Sequence, residues 1–275
     1  MKIGVCQTCA SDDPALNLTL TLGYLREAAS LGADFILTPE VTNIVSLDRA
    51  HQEAVLRHEE DDLTLAALRA EAKALGVWLS IGSLALKTHD ADGRFANRSF
   101  LIDPAGQIAA RYDKMHMFDV VVSETEQYRE SAGYRPGSRA VLAQTPFGNV
   151  GLTVCYDLRF AALYRALAAA GADLLLVPSA FSPVTGAAHW EPLLRARAIE
   201  TGCFVIAAAQ TGIHAAQGKS RKTYGHSMVV SPWGEVLLDA GTETGVHIVV
   251  IDPSEVARAR ARIPSLQHGV DFEGP

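Results

Sequence analysis

Apolar and polar positions along this chain switch repeatedly between two periods. Short β-branched and leucine-rich runs alternate with longer stretches in which apolar residues recur at helical spacing. Strands are predicted at 2–8, 35–38 and 77–86, and helices at 14–31 and 62–75. The first helix follows Asp12 or Asp13 as N-cap, has Pro14 in its opening turn and stops at Gly32; the second stops at Gly76. Runs at 95–102 and 107–113 pair as a hairpin across the turn sequence DPAG at 103–106. Residues 115–139 break the pattern: they are polar and irregular and include Gly133 and Gly137. A long irregular segment inside a compact domain is usually functional. The order then resumes, with strands at 149–154, 174–177, 203–208 and 246–251, helices at 160–170, 189–201 and 253–262, and a hairpin of 226–231 with 236–239 around PWG at 232–234.

The two halves echo each other. GADFILTP at 32–39 resembles GADLLLVP at 171–178, and each follows an alanine-rich helix; IGV at 3–5 likewise resembles VGL at 150–152. One strand–helix–strand plan used twice gives two similar sheets, each with helices on one face, packed sheet to sheet. The plainer alternative is one doubly wound sheet with ordinary α/β punctuation. No linker or low-complexity stretch marks a boundary, so a single domain over residues 1–275 is predicted.

Composition narrows the class. With 275 residues, 48% apolar and 20% charged, the chain buries a full core without disulfides or metal and is not disordered. Its net charge of −7 argues against nucleic acid or an anionic membrane as the main partner, since both need a basic field. No apolar run approaches the roughly 18 residues of a membrane span, and the first residues lack the pattern of a signal peptide. Four cysteines at this length make no disulfide framework. A soluble, reducing, cytoplasmic setting is expected, with thiols available for chemistry.

Cys155 is the sharpest position. It ends an apolar strand and precedes a helix, so its thiol stands at the open end of a sheet near orphan backbone N–H groups. Most free cysteines are small core fillers, which is how Cys203 and the Cys6–Cys9 pair read. Glu40 follows a strand directly after Pro39, where ligands bind in α/β sheets. A partly desolvated carboxylate there is expected to have a raised pKa and to serve as general base. Lys114 closes the strand at 107–113 and is either a surface charge or a fixed cation. A base, a cation and a thiol at three strand ends form the set that amide hydrolysis through a thioester requires. His189, His214 and His226 lack the local context of a Cys–His pair, and no metal-ligand or phosphate-loop spacing is present.

PE at 39–40, YDKMH at 112–116 and VCYDLR at 154–159 resemble, in order and spacing, the three motifs of the nitrilase superfamily of carbon–nitrogen hydrolases. PSAF at 178–181, LRARAIE at 194–200, AAAQ at 207–210 and YGHSM at 224–228 look closest to its branch acting on deaminated glutathione. The resemblance implies a four-layer α-β-β-α sandwich and a homodimer or larger homo-oligomer. It implies Cys155 as nucleophile, Glu40 as base, and Lys114 with the Tyr156 backbone N–H as oxyanion hole. A second glutamate is implied between lysine and cysteine; Glu130 fits best, with Glu124 and Glu126 nearby. No cofactor or metal is needed, because the thiol is the nucleophile and water the acceptor.

On this reading the substrate is a small carboxylate-bearing amide: deaminated glutathione, cleaved to 2-oxoglutarate and cysteinylglycine. An ω-amidase acting on 2-oxoglutaramate and a non-catalytic ligand-binding protein of the same fold are the alternatives. An anionic substrate needs local cations. Arg129, Arg159, Arg195, Arg197 and Lys222 are the candidates, with Phe181 and His189 as further substrate-binding residues. Intrahelical or interface pairing is the competing role for Arg195 and Arg197.

Overall fold

A computed structural model describes residues 1–122, 126–216, 220–270 and 273–274. In its first half, strands β1 (Lys2–Gln7), β2 (Phe35–Leu37), β3 (Trp78–Leu86), β4 (Ala96–Ile102) and β5 (Ile108–Asp113) are interleaved with helices α1 (Pro14–Ser30), α2 (Arg49–Val55) and α3 (Leu63–Leu75). A small hairpin, β6 (Asp119–Val121) with β7 (Gln127–Arg129), then occupies part of the irregular segment. The second half contains β8 (Val141–Thr145), β9 (Gly148–Leu152), α4 (Ala161–Ala169), β10 (Leu174–Leu176), α5 (Pro183–Thr201) and β11 (Phe204–Ala207). It closes with β12 (Thr211–His214), β13 (Arg221–Tyr224), β14 (Met228–Val230), β15 (Val236–Asp239), β16 (Gly245–Val250) and α6 (Ser254–Arg262).

The predicted helix starts rest on real caps. Asp13 accepts from the amides of Ala15 and Leu16, Asp62 from that of Leu65, and Gly76 ends α3 in the left-handed region.

The echo is a duplication of topology. One sheet has the order β16-β1-β2-β3-β4-β5 and the other β15-β14-β11-β10-β9-β8. In each, three parallel strands (β1-β2-β3 and β9-β10-β11) are flanked by one antiparallel strand on one side and two on the other. Ile3, Val5, Phe35 and Leu37 of the first sheet share a buried cluster with Val150, Leu152, Leu174 and Leu176 of the second. Leu25, Ala28, Leu68 and Ala72, from α1 and α3, cover the other face of the first sheet. Helices α4 and α5 pack on the second sheet. This is the predicted α-β-β-α sandwich, and a single doubly wound sheet is set aside.

Five differences from the sequence expectation have local causes. The edge strand β8 and helix α2 are short and half exposed, too brief for a clear period. The β6–β7 and β12–β13 hairpins have three or four residues per strand. Helix α5 begins at Pro183 rather than 189 and runs through Pro192. Gly186 breaks the helical pattern there because a Cβ would fall 2.3 Å from the Tyr224 ring. The position is therefore reserved for close packing rather than for helix propensity.

The duplication positions chemistry. Matching strands of the two sheets end at the same rim, so Glu40 leaves the end of β2 opposite Ala180, which leaves the end of β10. The Ala180 amide donates to Glu40 Oε2 at 2.9 Å.

Candidate active site

Two turns at this rim are strained. Val41, directly after Glu40, has φ 47°, and Cys155 has φ 50°. A non-glycine residue in the left-handed region is uncommon, and for β-branched valine it is an outlier. Such strain persists only where surrounding contacts enforce it, and it clusters at functional sites. Here the Val41 amide donates to Ser83 Oγ at 2.7 Å and the Cys155 amide to the Pro178 carbonyl at 2.9 Å. Cys155 opens a 3-10 turn, Cys155–Arg159, and its thiol faces the cleft rather than the strand interior.

The cleft is a cavity of about 350 Å³ lined by Glu40, Lys114, Glu130 and Cys155, with Tyr156 and Phe181. Lys114 is 2% exposed. Its Nζ donates to Glu40 Oε1 at 2.9 Å and to both oxygens of Glu130 at 2.9 and 2.8 Å. Of its two possible sequence roles, Lys114 takes that of the fixed cation. Glu40 is further held by Asn97 Nδ2 at 2.9 Å, and its carbonyl accepts from Gln210 Nε2. Glu130 accepts from the Phe118 amide at 2.7 Å.

Charge in this cluster is unbalanced: two carboxylates face one ammonium. Burial alone would push the Glu40 carboxyl up, but Lys114, the neighbouring thiol and Arg221 outweigh it and hold it below its ordinary 4.5. At about 3 Å and an effective dielectric near 20, an ion pair is worth roughly 5 kcal/mol, enough to override a desolvation of several kcal/mol. The expectation of a raised Glu40 pKa is thereby corrected: it took account of burial but not of the partner. Burial likewise opposes the Lys114 charge, yet Glu130 and Glu40 keep its pKa well above 10.5. The Cys155 thiol goes the other way. Burial and then the Glu40 charge push it strongly up against the pull of Lys114, so at neutral pH it rests as a thiol.

A second buried group ties the thiol's turn to the lysine's strand. Asp157, two residues after Cys155, is fully buried. It accepts from the Val154 amide at 2.9 Å, Tyr112 Oη at 2.6 Å, and the amide and Nδ1 of His116 at 3.0 and 2.7 Å. Val154 precedes Cys155, while Tyr112 and His116 flank Lys114. One carboxylate thus fixes the nucleophile turn relative to the cation.

The remaining predicted site residues divide. Arg129 lines the cleft, whereas Arg159 and His189 do not. The Arg159 guanidinium lies over the Tyr156 and Phe181 rings at 5.9 and 5.6 Å and contacts His189 Nδ1 at 3.3 Å. Arg159, expected with His189 to bind substrate, thus lies against two aromatic rings that line the cleft, and His189 contacts its guanidinium. Arg195 and Arg197 pair within α5 to Glu191 and Glu200. Lys222 is exposed. Glu126 accepts from Tyr128 and Ser182, and Glu124 lies outside the described residues. His214, buried and pushed down to about 4 by that burial, bonds Ala10 and Thr223, and His226 bonds Asp239. Cys6 and Cys203 are core residues, and Cys9 is half buried. Asn97, Asp157 and Arg221 were not signalled by the sequence.

Several known proteins resemble this chain. Residues 2–261 match the carbon-nitrogen hydrolase family. The deaminated glutathione amidase of Yersinia enterocolitica is 38% identical over 268 residues, 97% of this chain and 92% of that one. The NitFhit protein of C. elegans superposes with a TM-score of 0.89 at 35% identity, covering 98% of this chain; this chain spans 64% of that longer one. A mutant amidase from Nesterenkonia sp. AN1, carrying the Michael adduct of acrylamide at its active-site cysteine, superposes with a TM-score of 0.77 at 28% identity, covering 96% of this chain and 98% of its own.

Proposed function

The chain belongs to the carbon-nitrogen hydrolase family and hydrolyses amides, and from that premise we propose that its substrate is deaminated glutathione, cleaved at a thioester-forming Cys155 to 2-oxoglutarate and cysteinylglycine. The observation that carries this reading is the convergence of Glu40, Lys114, Glu130 and Cys155 on one cavity. The Yersinia relative gives the substrate.

The proton positions dictate the order of events. The thiol sits high and the carboxylate low, so proton transfer between them at rest is unfavourable. Sulfur attack on the carbonyl carbon and proton transfer to Glu40 therefore occur together. The carbonyl electron pair becomes an oxyanion, received by Lys114 Nζ and the Tyr156 N–H. As it collapses, the C–N bond breaks and the amine leaves with the proton from Glu40. Water then attacks the thioester, giving its proton to Glu40, and the acid departs as the thiol is restored. Glu130 positions Lys114 throughout. The chain acts as a single catalytic domain in a cytoplasmic homodimer.

Purified protein should release 2-oxoglutarate from deaminated glutathione with kcat/KM at least about tenfold above that for 2-oxoglutaramate. The reverse ratio would make it an ω-amidase. No release from either by a folded sample would leave the ligand-binding alternative.

A further inference from the structure

Arg221 differs from the other arginines of the cleft. Arg49 lines it too, but its guanidinium donates to Gly133, Gly93 and Glu53 and lies 3.5 Å over the Phe95 ring. Arg129 is an exposed side chain. Arg221 is anchored by a short bond from Nη2 to the Ala180 carbonyl at 2.5 Å, and faces the Tyr128 ring at 5.6 Å. Its Nε is buried and has no hydrogen-bond partner among the described residues. A buried donor left unpaired is costly, so this guanidinium is short of protein partners.

The same peptide places Arg221 relative to the reaction. The Ala180 N–H holds Glu40 and its carbonyl holds Arg221. The guanidinium is thus within about 9 Å of the base by chain geometry. A short dicarboxylate monoamide, with its scissile carbon at Cys155 and its carboxylate a few bonds away, spans such a gap. A guanidinium fork matches a carboxylate in a way an ammonium does not.

We propose that Arg221, whose side chain lines the cleft, is its specificity-determining cation, receiving a carboxylate of the substrate on its guanidinium. The assignment rests on the carboxylate-bearing amide reading above. The competing role is charge compensation for Glu40 and Glu130, which would act on every reagent alike.

Two arms separate these. In the first, Cys155 is alkylated with 3-maleimidopropionate or N-ethylmaleimide, which differ by one remote carboxylate, and the adduct rate is read by peptide mass spectrometry. The anionic-to-neutral rate ratio at Cys155 should fall about tenfold or more in Arg221→Met and by much less in Arg221→Lys. An unchanged ratio, even with both rates altered, assigns Arg221 to charge compensation and overturns the proposal. In the second arm, discrimination between 2-oxoglutaramate and butyramide in kcat/KM should fall by a similar factor, mainly through KM. Equal loss on both amides overturns it. A wild-type protein that hydrolyses neither these amides nor deaminated glutathione would refute the amidase reading, while the alkylation ratio still decides the role of Arg221. Should Arg221→Met fail to fold, Arg221→Gln, which also removes the charge, decides it: its ratio should fall about tenfold, and an unchanged ratio overturns the proposal.

Discussion

Replacing Asp157 by asparagine tests how the nucleophile and the cation are held together. The change is isosteric, so packing survives. The carboxylate accepts four hydrogen bonds, from Val154, Tyr112 and twice from His116. An amide offers one acceptor oxygen, and in either orientation its NH2 confronts buried donors. With Oδ1 kept toward His116, the Val154 amide and Tyr112 hydroxyl lose their acceptor; with the amide reversed, His116 does. Each orphaned buried donor costs about 1–3 kcal/mol, so the variant should lose about 2–5 kcal/mol, out of roughly 5–15 for a whole domain. At about 2–4 °C per kcal/mol for a chain of this size, Tm should fall by about 5–15 °C in a thermal scan. Tyr112→Phe removes one donor and its bond together and should cost less, about 1–2 kcal/mol. Below its Tm, Asp157→Asn should also lose about a hundredfold in kcat, since a misplacement near 1 Å is worth that much. A Tm within 2 °C of wild type together with kcat within about threefold would refute the claim that this carboxylate ties the Cys155 turn to the Lys114 strand.

Lys114→Met removes the cation and leaves Glu40 and Glu130 facing each other; kcat should drop by at least about 10²–10³, the loss of one oxyanion donor, with thioester formation slowed in stopped-flow measurements. Retention of wild-type acylation would remove Lys114 from the oxyanion site. Stability against pH follows from Glu40. Its folded pKa lies below 4.5, so its contribution is fully present above that value and is lost as pH falls through the folded pKa. Lys114, raised above 10.5, contributes fully below that value and loses it only at still higher pH. A Tm profile should thus hold across neutral pH and fall on the acid side. Glu40→Gln should flatten the acid limb, and an unchanged limb would contradict the assigned direction.

The parts of the site legible in the sequence are those at strand ends. Glu40 and Cys155 follow apolar runs whose β character is unambiguous, and the repeated GAD–Pro signature places Glu40 at the same rim as Ala180, which follows β10 beside the Cys155 strand β9. What escaped notice depends on which side of a short element a residue faces. Asn97 sits inside β4, where it reads as an ordinary polar strand position, yet its amide meets both glutamates. In β13 the cation facing the cleft is Arg221 and the exposed one is Lys222, a one-residue parity that four residues are too few to fix. Asp157 lies between two residues that drew attention, but its partners at 112 and 116 are adjacent only in three dimensions. The Glu40 pKa was misjudged for the same reason: burial can be guessed from a strand end, whereas the ammonium opposing it comes from 74 residues away.

The most direct test is acid quench of the protein during turnover of deaminated glutathione, followed by peptide mass spectrometry. An acyl mass of the 2-oxoglutaryl group on the Cys155 peptide, absent in Cys155→Ala, is the predicted result. Turnover without an adduct at Cys155, or an adduct at Cys6, Cys9 or Cys203 instead, would contradict a thioester formed between Glu40 and Lys114.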